Sequence, residues 1–64
     1  MYIFIGDKKL IKPKKKASEI IGVSFPTLSN ILNQRVACRK VVAYCITKYI
    51  NSEAEIEDYF KRVK

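Results

Sequence analysis

Between Ser24 and Asn33 the chain reads SFPTLSNILN, and this short stretch carries most of the side chains able to recognise another molecule. Drawn as a helix, it places hydroxyls and amides on one face and Leu28 and Ile31 on the other. Hydroxyls donate or accept hydrogen bonds, and amides do both, which suits the edges of base pairs in a duplex major groove. The other abundant chemistry is cationic: 13 Lys and Arg against 6 Asp and Glu, with no His. Residues 1–52 hold 10 basic and 2 acidic side chains, whereas residues 53–64 hold 3 and 4. A positive field clustered in this way attracts polyanions, and a charge excess serving only solubility fits a scattered distribution better.

Other chemistries find little support. With no His, no glycine-rich phosphate loop and no paired carboxylates outside a helix start at 53–58, no catalytic residue is expected and the chain is not read as an enzyme. Cys38 and Cys45 stand seven apart, about 10 Å along a helix, too far for a disulfide between them. They supply no zinc ligand set, so neither metal nor cofactor is expected. Cys45 reads as a small buried apolar residue and Cys38 as a helix-start residue. No apolar run approaches the roughly 18 residues of a membrane span, and nothing resembles a secretory signal. The expectation is a cytoplasmic protein with no membrane or small-molecule partner.

The elements that must position these groups follow from periodicity. At 64 residues the chain allows one domain, which would bury only about 60% of the surface its unfolded form exposes, so support from a second subunit is unsurprising. Residues 2–5, YIFI, read as a strand. Gly6-Asp7 then permits a hairpin with a return strand at Lys8–Ile11, the alternatives being a single strand or an irregular arm. After Pro13, a helix over Lys14–Ile21 buries Ala17, Ile20 and Ile21 and ends at Gly22. Ser24 caps a second helix running to about Asn33, with Pro26 in its first turn and Leu28, Ile31 and Leu32 facing inward. A third helix spans Arg39–Ile50 on a stripe of Val42, Cys45, Ile46, Tyr49 and Ile50. A capping box at Ser52–Glu55 opens a last helix, with Ile56, Tyr59, Phe60 and Val63 as its stripe and Lys61, Arg62 and Lys64 at its end.

Ser18 supplies a small residue where two helices cross, Gly22 a turn residue able to take positive φ, and Ile21, Val23, Leu28 and Ile31 apolar anchors. With GVSFPTLSNILNQR over residues 22–35 and YINSEAEIEDYF further on, the chain resembles the Cro/repressor-type helix-turn-helix family of phage and plasmid regulators over roughly residues 14–60. The resemblance implies a mainly α fold: a small helix-turn-helix domain of about four helices, with an N-terminal β-strand or hairpin replacing the usual first helix. Its parts would be a β arm at 1–12, the helix-turn-helix at 14–34 and two supporting helices at 38–64, all one domain over 1–64. Ser18 stands where the family commonly has Ala, and Gln34 where it commonly has Gly, so Gln34 can contribute a contact instead of a turn.

By the same resemblance the second helix enters double-stranded DNA. Base contacts fall to Phe25, Pro26, Thr27, Ser29, Asn30 and Asn33. Asn30 and Asn33 suit adenine, and Phe25 or Pro26 a thymine methyl group. Phe25 has an alternative as a packing staple against the first helix. Backbone contacts fall to Lys14, Lys15, Lys16, Ser24, Gln34, Arg35, Arg39 and Lys40, with Lys8, Lys9 and Lys12 extending the positive surface along the arm. For Ser24 the cap is the first role, its neighbouring N–H groups also suiting a phosphate. The three lysines oppose the helix dipole, a conflict that a phosphate relieves; the plain alternative is a solvated first turn.

The expected function is a sequence-specific repressor of a bacterial cell or phage-infected host, acting as a homodimer. Pairing would run through the edge of Tyr2–Ile5 or through the Tyr59/Phe60 end. Two alternatives stay open: an architectural or recombination-directionality factor, and a protein-interaction module of the antitoxin or inhibitor kind.

Overall fold

A computed structural model describes residues 1–63; Lys64 lies outside the described residues. Among the described residues the protein is mainly helical, with four α-helices and one antiparallel strand pair formed by residues near its two ends. Strand β1 (Tyr2–Phe4) leads through a 3₁₀ turn at Lys8–Leu10 to α1 (Lys14–Ile21), α2 (Phe25–Leu32) and α3 (Lys40–Ile50). A single helical turn, α4 (Ile56–Tyr59), then runs straight into strand β2 (Phe60–Arg62).

The sheet differs from the hairpin alternative. Lys8–Leu10 coils into a 3₁₀ turn capped by Asp7, whose carboxylate accepts the Lys9 amide at 2.9 Å, and the partner of β1 is β2, in register Tyr2–Arg62, Ile3–Lys61 and Phe4–Phe60. Burial decides this. Phe4 and Phe60 meet edge-to-face with centroids 5.3 Å apart, and both rings are buried. Such a pair contributes about 0.5–1.5 kcal/mol beyond the area it buries. A return strand at Lys8–Ile11 offers two lysines, a leucine and an isoleucine, and no aromatic partner for Phe4.

The same pairing shortens the last helix. Ser52–Glu55 is a loop, and the cap is formed three residues later, at Glu55, whose amide donates to the Asp58 carboxylate at 2.9 Å. Continuing the helix beyond Tyr59 would carry Phe60 away from Phe4, so the chain turns extended there. Of the expected stripe, Ile56 and Phe60 are buried, Tyr59 is half-buried and Val63 lies past β2. The region 38–64 therefore supplies one full helix, one helical turn and a strand.

The core joins Phe4, Ile11, Ala17, Leu28, Ile31, Leu32, Ala43, Ile46 and Phe60. In α1 the buried residues are Ala17 and Ser18, while Ile20 is 62% exposed and Ile21 only packs at the margin, so the predicted Ile20 face is corrected. Two small side chains let α1 approach α2 and α3 closely, and the Ser18 hydroxyl is satisfied within its own helix by donating to the Lys15 carbonyl at 2.7 Å. In α3, Ala43, Ile46 and Thr47 are buried and Cys45 only half-buried. Cys38 is not a helix start: it is buried and exchanges both backbone hydrogen bonds with Tyr2, at 2.8 Å each, before α3 begins at Lys40.

One consequence bears on assembly. With β2 along one edge, and on the other Cys38 bridged to Tyr2 and the Gln34 side chain bonded to the Phe4 carbonyl, the Tyr2–Ile5 edge expected to recruit a second copy is largely occupied within the chain.

Candidate nucleic-acid interface

The α1–α2 corner is set by Gly22. Its φ of 91° is left-handed, open to glycine at no steric cost, and its amide and that of Val23 both donate to the Ser18 carbonyl, at 2.8 and 3.1 Å. The start of α2 is fixed by Ser24, whose hydroxyl accepts the Thr27 amide at 3.3 Å and donates to the Thr27 hydroxyl at 2.7 Å. Pro26 sits in the first turn, where a missing N–H leaves no bond unmade. Leu28, Ile31 and Leu32 then bury one side of α2.

That burial turns Pro26, Asn30 and Asn33 outward, at i, i+4 and i+7. Ser24, Phe25, Pro26 and Thr27 are all exposed at the N-terminal end. Phe25 is 48% exposed, so it is not buried as a staple under α1. Ser29 and Asn30 are half-buried; the Asn30 carbonyl accepts the Arg35 amide at 2.9 Å, and its side-chain amide has no hydrogen bond among the described residues. Asn33 is different. Its Nδ2 donates to the Ser29 carbonyl at 2.9 Å and lies 3.3 Å from the Ser29 hydroxyl, and its Oδ1 accepts from the Lys8 ammonium at 3.2 Å. Asn33 is thus an internal link as well as an outward residue.

Gln34 takes the turn after all. Its φ is 64°, the left-handed conformation for which glycine is the usual choice, and its Nε2 donates to the Phe4 carbonyl at 2.8 Å. One side chain therefore closes α2 and ties it to β1. Neither the bond nor the partner has any signal in the sequence, since the two residues stand 30 apart.

Arg35, Arg39 and Lys40 are exposed in and after the loop that follows α2, and Lys15 and Lys16 are exposed on α1 with Lys14 half-buried. From Ile20 to Ser52 the chain contains no acidic residue, so no carboxylate of α2, α3 or their connecting loops opposes these cations. Lys8 is brought to the outward side of α2 from a distant segment, which the charge run at 8–9 foreshadows and its spacing does not place. Nearby, burial pushes the Cys38 thiol up, with the chain's terminal amine and the residue's own backbone amide pulling it partly back.

No family model, curated protein or solved structure matches this chain. The interpretation of the surface rests on its own chemistry: an exposed helix end with hydroxyl, amide and apolar groups, in a chain whose α1 and post-α2 loop carry exposed cations. Among the described residues no helix is long and apolar enough to cross a membrane.

Proposed function

We propose that this protein is a sequence-specific double-stranded-DNA-binding regulator of the Cro/repressor type, working as a homodimer in the cytoplasm. The observation that carries the reading is the outward side of α2, where Phe25, Pro26, Thr27 and Asn30 are presented on a helix held down by Leu28 and Ile31, inside a stretch with no acid from Ile20 to Ser52. Helices of this kind read base edges with the residues of their N-terminal turns, while flanking cations neutralise phosphates. Phe25 or Pro26 offers apolar contact to a thymine methyl group, Asn30 a bidentate match to adenine, and Thr27 and Ser29 adaptable donors. Lys14, Lys15 and Lys16 at one end of the motif and Arg35, Arg39 and Lys40 at the other serve the two backbone segments, with the N–H groups beside Ser24 and the Gln34 side chain as further contacts. Twofold pairing would double a short recognition surface.

Selection of bound sequences from random duplex DNA tests the reading directly, because it reports specificity, half-site symmetry and spacing together. Asn30→Ala is expected to lower specific affinity by about 1–3 kcal/mol and to relax preference at one base pair. An unchanged selected motif would remove Asn30 from the reading surface.

A second reading, a protein-interaction module, draws on the exposed apolar side chains Ile20, Val41 and Tyr44, which are 62%, 73% and 52% exposed. Random duplex DNA at low salt tests this reading: a chain of charge +7 that is not retained there favours the interaction module.

A further inference from the structure

The bond between Lys8 and Asn33 joins a loop near one end of the chain to the far end of α2, across 25 residues of sequence. The loop does not merely drift there. It is anchored on both sides in the core, since Phe4 before it and Ile11 after it are each 0% exposed. It is tied to the residue after α2's cap through Gln34 Nε2 and the Phe4 carbonyl, at 2.8 Å. Its own shape is set by Asp7 capping the 3₁₀ turn. Four constraints thus hold Lys8 beside the outward side of α2, at the end opposite Phe25 and Pro26.

An ammonium carries three donors, and Asn33 Oδ1 occupies one. Among the described residues the ammonium makes no other hydrogen bond, and the Asn33 amide nitrogen is itself engaged with Ser29. We infer that Lys8 is a phosphate-binding residue of the DNA site and that Asn33 is its positioning residue, holding the ammonium in place and leaving base readout to the N-terminal turn of α2. This rests on the DNA-binding reading above. The partner is a phosphate of the duplex backbone and not a base: the N-terminal turns of such a helix enter the groove, so its C-terminal end lies beside the groove wall. The turn at Lys8–Leu10 therefore forms a further wall of the interface, supplied by the segment that stands in place of a helix.

Binding of the full chain to its selected duplex and to random duplex, followed across a salt series, tests this. Lys8→Ala should weaken both equally and make the log–log salt dependence shallower by about 0.9. Asn33→Ala keeps the charge but frees it, so affinity should fall with the slope retained and the selected motif unchanged. Thermal melts check that both variants fold: Lys8 is exposed, whereas Asn33 is half-buried and its removal also breaks the bond to the Ser29 carbonyl, so its affinity is compared only if its melt stays cooperative. A slope and affinity equal to wild type in Lys8→Ala would overturn the phosphate contact. A change of preferred base in either variant would overturn the division of roles, replacing it with base readout by that residue. No binding of the wild-type chain to any duplex would instead remove the DNA-binding reading itself, a result distinct from a wild type that binds and a Lys8 variant that matches it.

Discussion

Gln34 shows how one residue can carry both a backbone constraint and a long-range contact. A left-handed φ costs a non-glycine residue about 1–2 kcal/mol, and the hydrogen bond to the Phe4 carbonyl offsets part of it. Gln34→Ala keeps the strain and loses the bond, so it should destabilise the fold by about 1 kcal/mol. Gln34→Gly removes the strain as well and should cost less. Denaturant melts in which the two variants rank the other way would refute this account. Cys38 and Cys45 make a second residue-scale pair. Cys45 should react with a thiol reagent before Cys38, because it is half-buried and Cys38 is buried. Burial also raises the Cys38 thiol, so the folded chain keeps a proton that the unfolded chain releases above about pH 8.5. The stability contributed by the neutral thiol is complete below that pH and is lost as pH rises toward the folded value. The stability difference between wild type and Cys38→Ala should therefore shrink as pH rises through this range, and a difference constant with pH would argue against the mechanism.

At the scale of elements, α2 is specified from within. Its cap, its proline and its inward triplet lie inside ten consecutive residues, and all three are found as the spacing predicts. Ser24→Ala should cost about 1 kcal/mol by leaving the Thr27 amide without its acceptor. The strand pair is specified from outside. Residues 56–63 have a respectable helical stripe, yet only Ile56–Tyr59 is helical, because Phe60 gains more from Phe4 than a further turn of helix would return. Phe60→Ala removes that gain at a cost of about 3–5 kcal/mol, comparable with the whole stability of a domain this small. Loss of the cooperative thermal transition is the expected outcome, and a variant melting near wild type would show that β2 does not hold the two ends together.

For the whole molecule, the strands tie both ends of the chain around the α1–α2 corner: β1 meets α2 through Gln34 and β2 meets β1 along three residue pairs. The net charge of +7 works against this compact state. Repulsion among the lysines and arginines falls as salt shortens the Debye length, from about 30 Å at 0.01 M to about 8 Å at 0.15 M. Tm should rise over that interval, by about 4–8 °C for each 1 kcal/mol of repulsion relieved. A Tm that falls with salt would mean that net attraction between charges outweighs their repulsion. The same cations oppose folding and supply the proposed affinity for DNA, so a bound duplex should stabilise the fold.

The α1–α2 corner was legible in the residues themselves: Gly22 for a left-handed turn, Ser24 for a cap, and Leu28 with Ile31 for an inward face act over a few residues, and their energies are set where they stand. So was the basic character of the surface, which depends on counting charges. The partner of β1, the early end of the last helix, the occupied edge of Tyr2–Ile5 and the seating of Lys8 against Asn33 were decided only by the tertiary structure. Each is a competition between segments far apart in sequence, resolved by how much apolar surface the whole chain can bury, and local spacing holds no record of which distant segment wins.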